Sequence, residues 1–312
     1  MASSILRRSF LYVPGSSERM LVKSRGLKVD CVVYDLEDSV TPHKKPEARQ
    51  LVRKELDSLS CPRDIRERAV RVNPVSSGFG EEDLTYILQS QNVSTVVVPK
   101  VESASDVKLV TDIISYGAQR QDKAKTPTSV IALIESAKAI MNLKEICAAA
   151  PNQLSGLVFG AADFAADLSI TQTPDLSEFL YARSAIVTAA RAFRIPSVID
   201  LVCTDFKTPT TLEEECRTGK ILGFNGKQCI HPLQTETVDR LFSPETAEVT
   251  WAVRTLIANA KAETQGRGSW ALDGKMIDAP VISKARAIVA QARDCGLDVA
   301  AIEEEFKSQE PE

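Results

Sequence analysis

Short apolar runs rich in β-branched residues recur along the chain, each separated from the next by a longer stretch whose apolar positions follow helical spacing. That alternation is the βαβ pattern of a parallel sheet. The runs are Phe10 to Val13, Cys31 to Leu36, Ala69 to Val72, Thr95 to Pro99, Val130 to Ile134, Leu157 to Phe159, Ser197 to Ile199 and Lys227 to Ile230. Between them, Asp83 to Gln89 sets Leu84, Ile87 and Leu88 on one face, and Ala137 to Ala149 does the same with Ile140, Leu143 and Ile146. Eight strands with helical returns predict an α/β fold, a (β/α)8 TIM barrel over residues 1–242. A dinucleotide-binding fold would instead need a Gly-x-Gly-x-x-Gly turn after its first strand, which Gly156, Gly160 and Gly266-Arg267-Gly268 do not supply.

The chain runs well past the last strand. Ser243 before Pro244 predicts a helix start with a cap hydroxyl and a proline in the first turn, and Val249, Val253, Leu256, Ile257 and Ala260 mark its apolar stripe. Gly266, Gly268 and Gly274 then predict a flexible stretch leading through Met276-Ile277-Asp278 into a final helix with Val281, Ala285, Ile288, Val289 and Ala292. Residues 243–312 therefore read as a C-terminal helical extension, a lid able to close over a barrel mouth, its own or a neighbour's.

Composition narrows the chemistry. With 312 residues and a 44% hydrophobic fraction the chain can bury a substantial core. Thirty-eight basic and forty-two acidic residues give a net charge of -4 without a basic block, so neither a nucleic acid nor an anionic membrane has an electrostatic partner here. No apolar run approaches the roughly eighteen residues of a membrane span. Seven cysteines without a Cys-x-x-Cys pair, and two histidines, indicate neither a disulfide framework nor structural zinc. Met1 to Ser17 carries Arg7, Arg8 and serines but no acid, the composition of a mitochondrial presequence. Leu11-Tyr12-Val13 already looks like a strand, however, so a short extension of that strand is the plainer reading, and mitochondrial or cytoplasmic location stays open.

Catalytic groups of such barrels sit at the carboxyl ends of the strands, and here those ends are polar. They carry Glu37 and Asp38, Arg71 and Asn73, Lys100 and Glu102, Glu135, Asp163, Asp200 and His231. Glu135 and Asp163 offer hard carboxylate oxygens that could hold Mg2+ and leave most of its roughly six positions to water and substrate. Their bland alternative is to cap the helices that follow; an acid and base pair without metal is a third reading. Arg71 offers a planar fork suited to a carboxylate or a developing oxyanion, or else an ion pair with Glu37 or Asp38. Strand alternation places Asp35 and Glu37 together and sends Asp38 the other way, which makes Glu37 an orienting group rather than a ligand. His231 could act as a base or shape the last loop. Cys203 and the other cysteines are assigned to packing.

The order and spacing of Leu11-Tyr12-Val13-Pro14-Gly15, Asp35-Leu36-Glu37-Asp38, Lys45 with Glu47-Ala48-Arg49, Arg71-Val72-Asn73, Pro99-Lys100-Val101-Glu102-Ser103, Glu135, Phe159-Gly160-Ala161-Ala162-Asp163-Phe164, Gly226-Lys227 with Ile230-His231-Pro232, and Met276-Ile277-Asp278 resemble the citrate lyase beta-chain-like acyl-CoA lyases, most closely the citramalyl-CoA lyase branch. The match runs from about Ser9 to Ala292. The resemblance implies a homotrimeric barrel, hexameric in some relatives, that depends on Mg2+ and reversibly cleaves 3-hydroxyacyl-CoA esters, here citramalyl-CoA to acetyl-CoA and pyruvate. It implies metal on Glu135 and Asp163, a substrate oxygen on Arg71, and an acid/base role for Asp278 delivered by the lid of a neighbouring subunit. It also implies that Lys23 contacts the CoA phosphates and that Tyr12 lies beside the CoA chain, with Glu37 and Asp38 behind Arg71. Ala162 stands where many relatives have Glu, although malyl-CoA lyases also have Ala, and Ser17 replaces an arginine that some relatives point at CoA. Three rivals remain: a malyl-CoA or methylmalyl-CoA lyase with thioesterase side activity, a non-catalytic acyl-CoA-binding subunit, and a subunit of a multi-chain citrate lyase with an acyl-carrier partner.

Overall fold

The computed structural model describes residues 6–58, 65–120 and 128–312. Among them, β1 (Ser9–Pro14), β2 (Val29–Asp35), β3 (Ile65–Arg71), β4 (Thr95–Val98), β5 (Ser129–Ile134), β6 (Leu154–Phe159), β7 (Ser197–Asp200) and β8 (Gly226–Cys229) form a closed barrel in chain order. All neighbours are parallel, and β8 pairs back onto β1. The returning helices are α1 (Glu18–Ser24), α2 (Lys45–Asp57), α3 (Gly80–Ile87), α4 (Ala104–Arg120), α5 (Ala137–Met141), α6 (Leu143–Ala148), α7 (Ala161–Leu168), α8 (Leu180–Ala192), α9 (Pro209–Leu222) and α10 (Thr235–Phe242). Every apolar run read from the sequence falls on a strand. Three strands start two or more residues before their apolar runs, β2, β3 and β6. In β2 and β3 the early residues are charged yet buried: Asp30 accepts from the Arg8 guanidinium at 2.7 and 2.9 Å, and Glu67 from Arg7 at 2.5 and 2.8 Å.

Alternation along the strands sorts the core into two layers. Phe10, Cys31, Val33, Ala69, Val97, Ile131, Leu133, Val158 and Ile199 fill the barrel interior as one cluster. Their strand neighbours, among them Leu11, Val32, Val70, Val96, Ala132, Leu157 and Val198, pack against the helices. The amino-terminal end of the barrel is closed by Arg7, which also donates to Ser155 O at 3.1 Å and Ser197 Oγ at 3.0 Å, while Thr95 Oγ1 donates to Glu67. Arg7 and Arg8, which gave the amino terminus its presequence-like composition, are thus buried barrel residues; residues 1–5 lie outside the described ones.

One helix expected over Ala137 to Ala149 is two. Asn142 (φ -101°, ψ 10°) breaks it, held out of helical geometry by its side chain, whose Nδ2 donates to Glu102 O at 2.9 Å. The cysteines of the described residues are free, and Cys61 lies outside those residues. No helix of the described residues is long and apolar enough to cross a membrane.

A second compact unit spans Ser243–Glu312. It holds α11 (Thr246–Thr264), an antiparallel hairpin of β9 (Trp270–Leu272) and β10 (Lys275–Ile277), α12 (Ala279–Asp294) and α13 (Val299–Glu305). Two expectations are corrected. Helix α11 begins at Thr246 rather than beside Ser243, its N-cap is Glu245, and no side-chain hydrogen bond caps it. Its buried face uses Ala252, Ala258 and Ala262 with Val249 and Val253, while Ala260 is exposed. Of the three glycines expected to form a flexible stretch, Gly274 lies in the turn of the hairpin, while Gly266 and Gly268 precede β9. Asp273 (φ 51°) and Gly274 (φ 70°) both take the left-handed conformation of a two-residue turn that matches strand twist, and Trp270, Leu272 and Ile277 pack on Ala258 and Ala262.

Replacing Arg7 with Met leaves the Glu67 carboxylate unpaired inside the barrel. The expected cost is about 3–5 kcal/mol, since an uncompensated buried charge is more expensive than the pair. Urea unfolding checks it, and an unchanged midpoint would refute the assigned role of this pair.

Candidate active site at the barrel mouth

Arg71 ends β3 directly across from Asp35, the last residue of β2. Asp35 accepts from Nε at 2.7 Å and from Nη2 at 2.8 Å, a bidentate pair that sets the guanidinium plane. Burial opposes ionisation of Asp35, but the Arg71 hydrogen bonds and charge, with Ser39 and the Glu37 N–H, hold its carboxyl below the usual range. Nη1 lies 2.9 Å from Glu37 Oε2 and 3.4 Å from Asp38 Oδ2. The sequence reading is corrected twice here. The principal partner is Asp35 rather than Glu37 or Asp38, and Asp38 does not point away, because β2 ends at Asp35 and alternation stops with it.

Beyond that strand end the loop is pinned by Lys45, whose ammonium donates to Leu36 O at 2.9 Å, Glu37 O at 3.1 Å and Asn73 Oδ1 at 2.5 Å. Glu37 is thereby held under Arg71 although its buried Oε2 has no hydrogen-bond partner. The 2.9 Å approach to Nη1 is an ion pair off the N–H direction. Burial, with the charges of Asp38, Glu135 and Asp35, pushes the Glu37 carboxyl up to about 8 despite Arg71.

Glu135 follows β5 and is 6% exposed. Lys100, at a left-handed φ of 52°, turns its backbone N–H onto Glu135 Oε2 at 2.7 Å, and its ammonium stands 3.2 Å from Asp163 Oδ1. Gly160 is required here, since a Cβ would lie 2.5 Å from Glu135 Oε1. Burial chiefly, and the Asp163 charge in addition, push the Glu135 carboxyl up to about 7. Neither acid caps a helix. Ser136 Oγ caps α5, and the α7 N-cap is Gly160.

Glu135, Asp163, Asp35, Asp38 and Arg71 line one cavity of about 450 Å³ with Tyr12, Leu133, Leu201 and Gln228. Among the described residues no three His, Cys, Asp or Glu side chains form a metal cage. A buried carboxylate held at elevated pKa beside a second one is instead a site that a hard divalent cation would relieve. Two protein oxygens with solvent and substrate completing the shell suit Mg2+.

Tyr12, Pro14 and Ile230 line both this cavity and a second of about 500 Å³, whose lining also includes Arg19, Met20, Lys23, Leu27, His231 and Leu233. Its ring centroid lies 4.6 Å from the Arg71 guanidinium carbon. His231 shapes its loop: Nδ1 accepts from Leu233 N at 3.2 Å and the ring stacks on Phe206. Asp200 faces outward and pairs with Arg183 at 2.6 and 3.1 Å. The Cys203 thiol is buried, which pushes it up to about 11, away from nucleophilic use. Asp278 stands in the second unit, where its carboxylate caps α12 by accepting from Val281 N at 3.2 Å.

Asp35 and Gln228 were not singled out as site residues by the sequence. The usable signal was alternation, which puts Asp35 on the inward face with Cys31 and Val33, and Gln228 inward between Lys227 and Cys229.

A family model described as HpcH/HpaI aldolase/citrate lyase matches residues 8–232. The chain belongs to that family. It is 38% identical over 296 residues to the mitochondrial citramalyl-CoA lyase of Homo sapiens, covering 92% of this chain and 86% of that one. It is 36% identical over 285 residues to a (3S)-malyl-CoA thioesterase of Cereibacter sphaeroides, covering 91% and 94%. The CitE protein of Mycobacterium tuberculosis, solved in complex with magnesium, acetoacetate and coenzyme A, superposes with a TM-score of 0.73 at 29% identity, over 93% of this chain and 98% of that one.

Because the Glu135 carboxyl lies above its ordinary value in the folded chain, protonating it stabilises the metal-free fold. That contribution is complete below about 4.5 and lost as pH rises through about 7. In EDTA, Glu135→Gln is expected to unfold at higher urea than the wild type at pH 8 and to lose that advantage near pH 4.5. Equal midpoints at pH 8 would contradict it.

Proposed function

We propose that the protein is a Mg2+-dependent acyl-CoA lyase that reversibly cleaves citramalyl-CoA to acetyl-CoA and pyruvate. The observation that carries this is the junction at Tyr12. On one side lies a cavity with a carboxylate pair and an arginine, suited to the hydroxy-acid end of a substrate. On the other lies a cavity with Arg19 and Lys23, suited to a phosphate-bearing tail. The human relative's activity and the magnesium, acetoacetate and coenzyme A of the CitE complex support the same division.

Glu135 and Asp163 would hold the metal, and Lys100 keeps Glu135 Oε2 turned toward its own backbone, leaving the other oxygen for a ligand. When bound, Mg2+ supplies a template and Lewis acid for the hydroxyl and carboxylate oxygens of the acid end. Cleavage breaks the bond between the carbinol carbon and the thioester methylene; the hydroxyl loses a proton and the methylene gains one. Arg71 faces the oxygen that gathers charge. Its Asp35 side is fully engaged, whereas the contact with Asp38, whose side chain is 61% exposed, is the one a substrate oxygen would displace. Asp278 would protonate the departing carbon, or abstract a proton from the acetyl methyl in condensation. For that role the second unit acts as a lid from a neighbouring subunit of a homotrimer, giving up the Val281 cap on closure. Lys23 contacts the phosphates of CoA and Tyr12 its chain. The mitochondrial location of the human relative makes the same compartment the working expectation.

A second reading, cleavage of malyl-CoA with thioester hydrolysis, is favoured by the Cereibacter relative. Specificity constants for citramalyl-, malyl-, methylmalyl- and citryl-CoA with purified protein and Mg2+ decide between them; no cleavage of any of the four would end the lyase proposal.

Asp278→Ala is expected to lower kcat by at least about 100-fold while leaving acetyl-CoA affinity nearly unchanged, the signature of lost proton transfer. Full turnover in that variant excludes Asp278 as the acid. Glu135→Ala and Asp163→Ala should each lose Mg2+-dependent activity and Mg2+ binding by calorimetry, and a wild type insensitive to EDTA would remove the metal from the account.

A further inference from the structure

Gln228 is 4% exposed and reaches the barrel mouth at the seam where β8 meets β1. Its Nε2 donates to Phe159 O at 2.9 Å and to Asp200 O at 3.1 Å, the backbone oxygens at the ends of β6 and β7. Its Oε1 accepts from the Tyr12 hydroxyl at 3.0 Å. Both amide hydrogens are therefore used, and the amide cannot be turned over without setting its oxygen against two carbonyls. This orientation has a consequence for Tyr12. With its proton given to Gln228, the hydroxyl can only accept toward the cavity and cannot donate to a developing oxyanion. That duty is left to Arg71, whose guanidinium lies over the Tyr12 ring.

We infer that Gln228 is a positioning residue: it anchors Tyr12 to the carbonyl ends of β6 and β7, and Tyr12 in turn supports the Arg71 guanidinium with its ring. The inference rests on the lyase reading for its kinetic readout and deepens the account of the same site. Asp35 sets the guanidinium plane through Nε and Nη2 while Glu37 and Asp38 approach Nη1, and the ring of Tyr12 is a further restraint on that plane. The Tyr12 ring limits tilting of the fork best while its hydroxyl is fixed by Gln228. A tilted fork binds a CoA ester almost as well but meets the charge of the transition state less well, so the loss belongs in kcat rather than KM.

The experiment is a double-mutant cycle. Gln228→Met keeps length and bulk but makes none of the three hydrogen bonds; Tyr12→Phe keeps the ring and removes the hydroxyl. Each is expected to lower kcat about ten-fold with KM for the CoA ester within about two-fold. The double variant is expected to be no worse than the poorer single one, because both break the same link. Independent effects that multiply, or a Tyr12→Phe enzyme with wild-type kcat, overturn the inference. Tyr12→Phe by itself decides the matter if Gln228→Met does not fold. The Arg71 Nε–H resonance, read by NMR without substrate, gives a test separate from turnover. It should shift or broaden in both single variants, and an unmoved resonance overturns the inference. A wild type that cleaves no CoA ester, with the resonance shifted in both variants, would defeat the lyase reading and leave the Gln228 link standing.

Discussion

The bidentate contact between Arg71 and Asp35 is what makes the barrel mouth workable. Closing eight strands brings inward-pointing side chains from opposite sides of the sheet to within reach of one another, in a space that water enters from one end only. Charges gathered there are expensive unless paired. Asp35 neutralises Arg71 and orients it in the same contact, since two parallel N–H bonds fix a plane where a point contact would not. Glu37, Asp38 and Tyr12 are all placed relative to that plane.

The two ends of the barrel handle charge differently. At the amino-terminal end Arg7 and Glu67 satisfy each other, with Ser155, Ser197 and Thr95 taking what remains, so that the end is a closed plug. At the other end the acids outnumber the cations. Glu37 and Glu135 are both pushed upward, by burial first and then by neighbouring carboxylates. A plug that is complete within the protein is structural, whereas a mouth with unrelieved negative charge is built to receive something positive. Lys100 partly fills that need with a strained backbone and an ammonium on Asp163. Strain of this kind collects where a site is pre-organised.

Loop chemistry does the rest. Lys45 spends all three of its donors on Leu36, Glu37 and Asn73, which converts the turn after β2 from a mobile loop into a shelf beneath Arg71. Gly160 gives Glu135 the room that any side chain would occupy. Such residues touch no reacting atom, yet they determine where the reacting groups can be.

The sequence by itself was enough for the barrel: eight β-branched runs, helical returns and polar strand ends are local patterns, and each follows from a short window of residues. It was also enough to pick out Arg71, Glu135 and Asp163, because strand ends can be read from where an apolar run stops. The early starts of β2 and β3 stayed hidden because Asp30 and Glu67 look like loop residues until Arg8 and Arg7, far away in the chain, neutralise them. Alternation correctly paired residues within a strand and failed at Asp38, one turn beyond where β2 ends. The hairpin at Asp273-Gly274 read as flexible because glycine signals a special backbone without saying whether packing will hold it; Trp270 on Ala258 and Ala262 does. What only the tertiary structure decided are the partnerships, Asp35 for Arg71, Lys100 for Glu135 and Asp163, Gln228 for Tyr12. Each joins residues of different strands or loops: the first two depend on the pairing of neighbouring strands and the last on closure of β8 onto β1, and no local window contains such pairings.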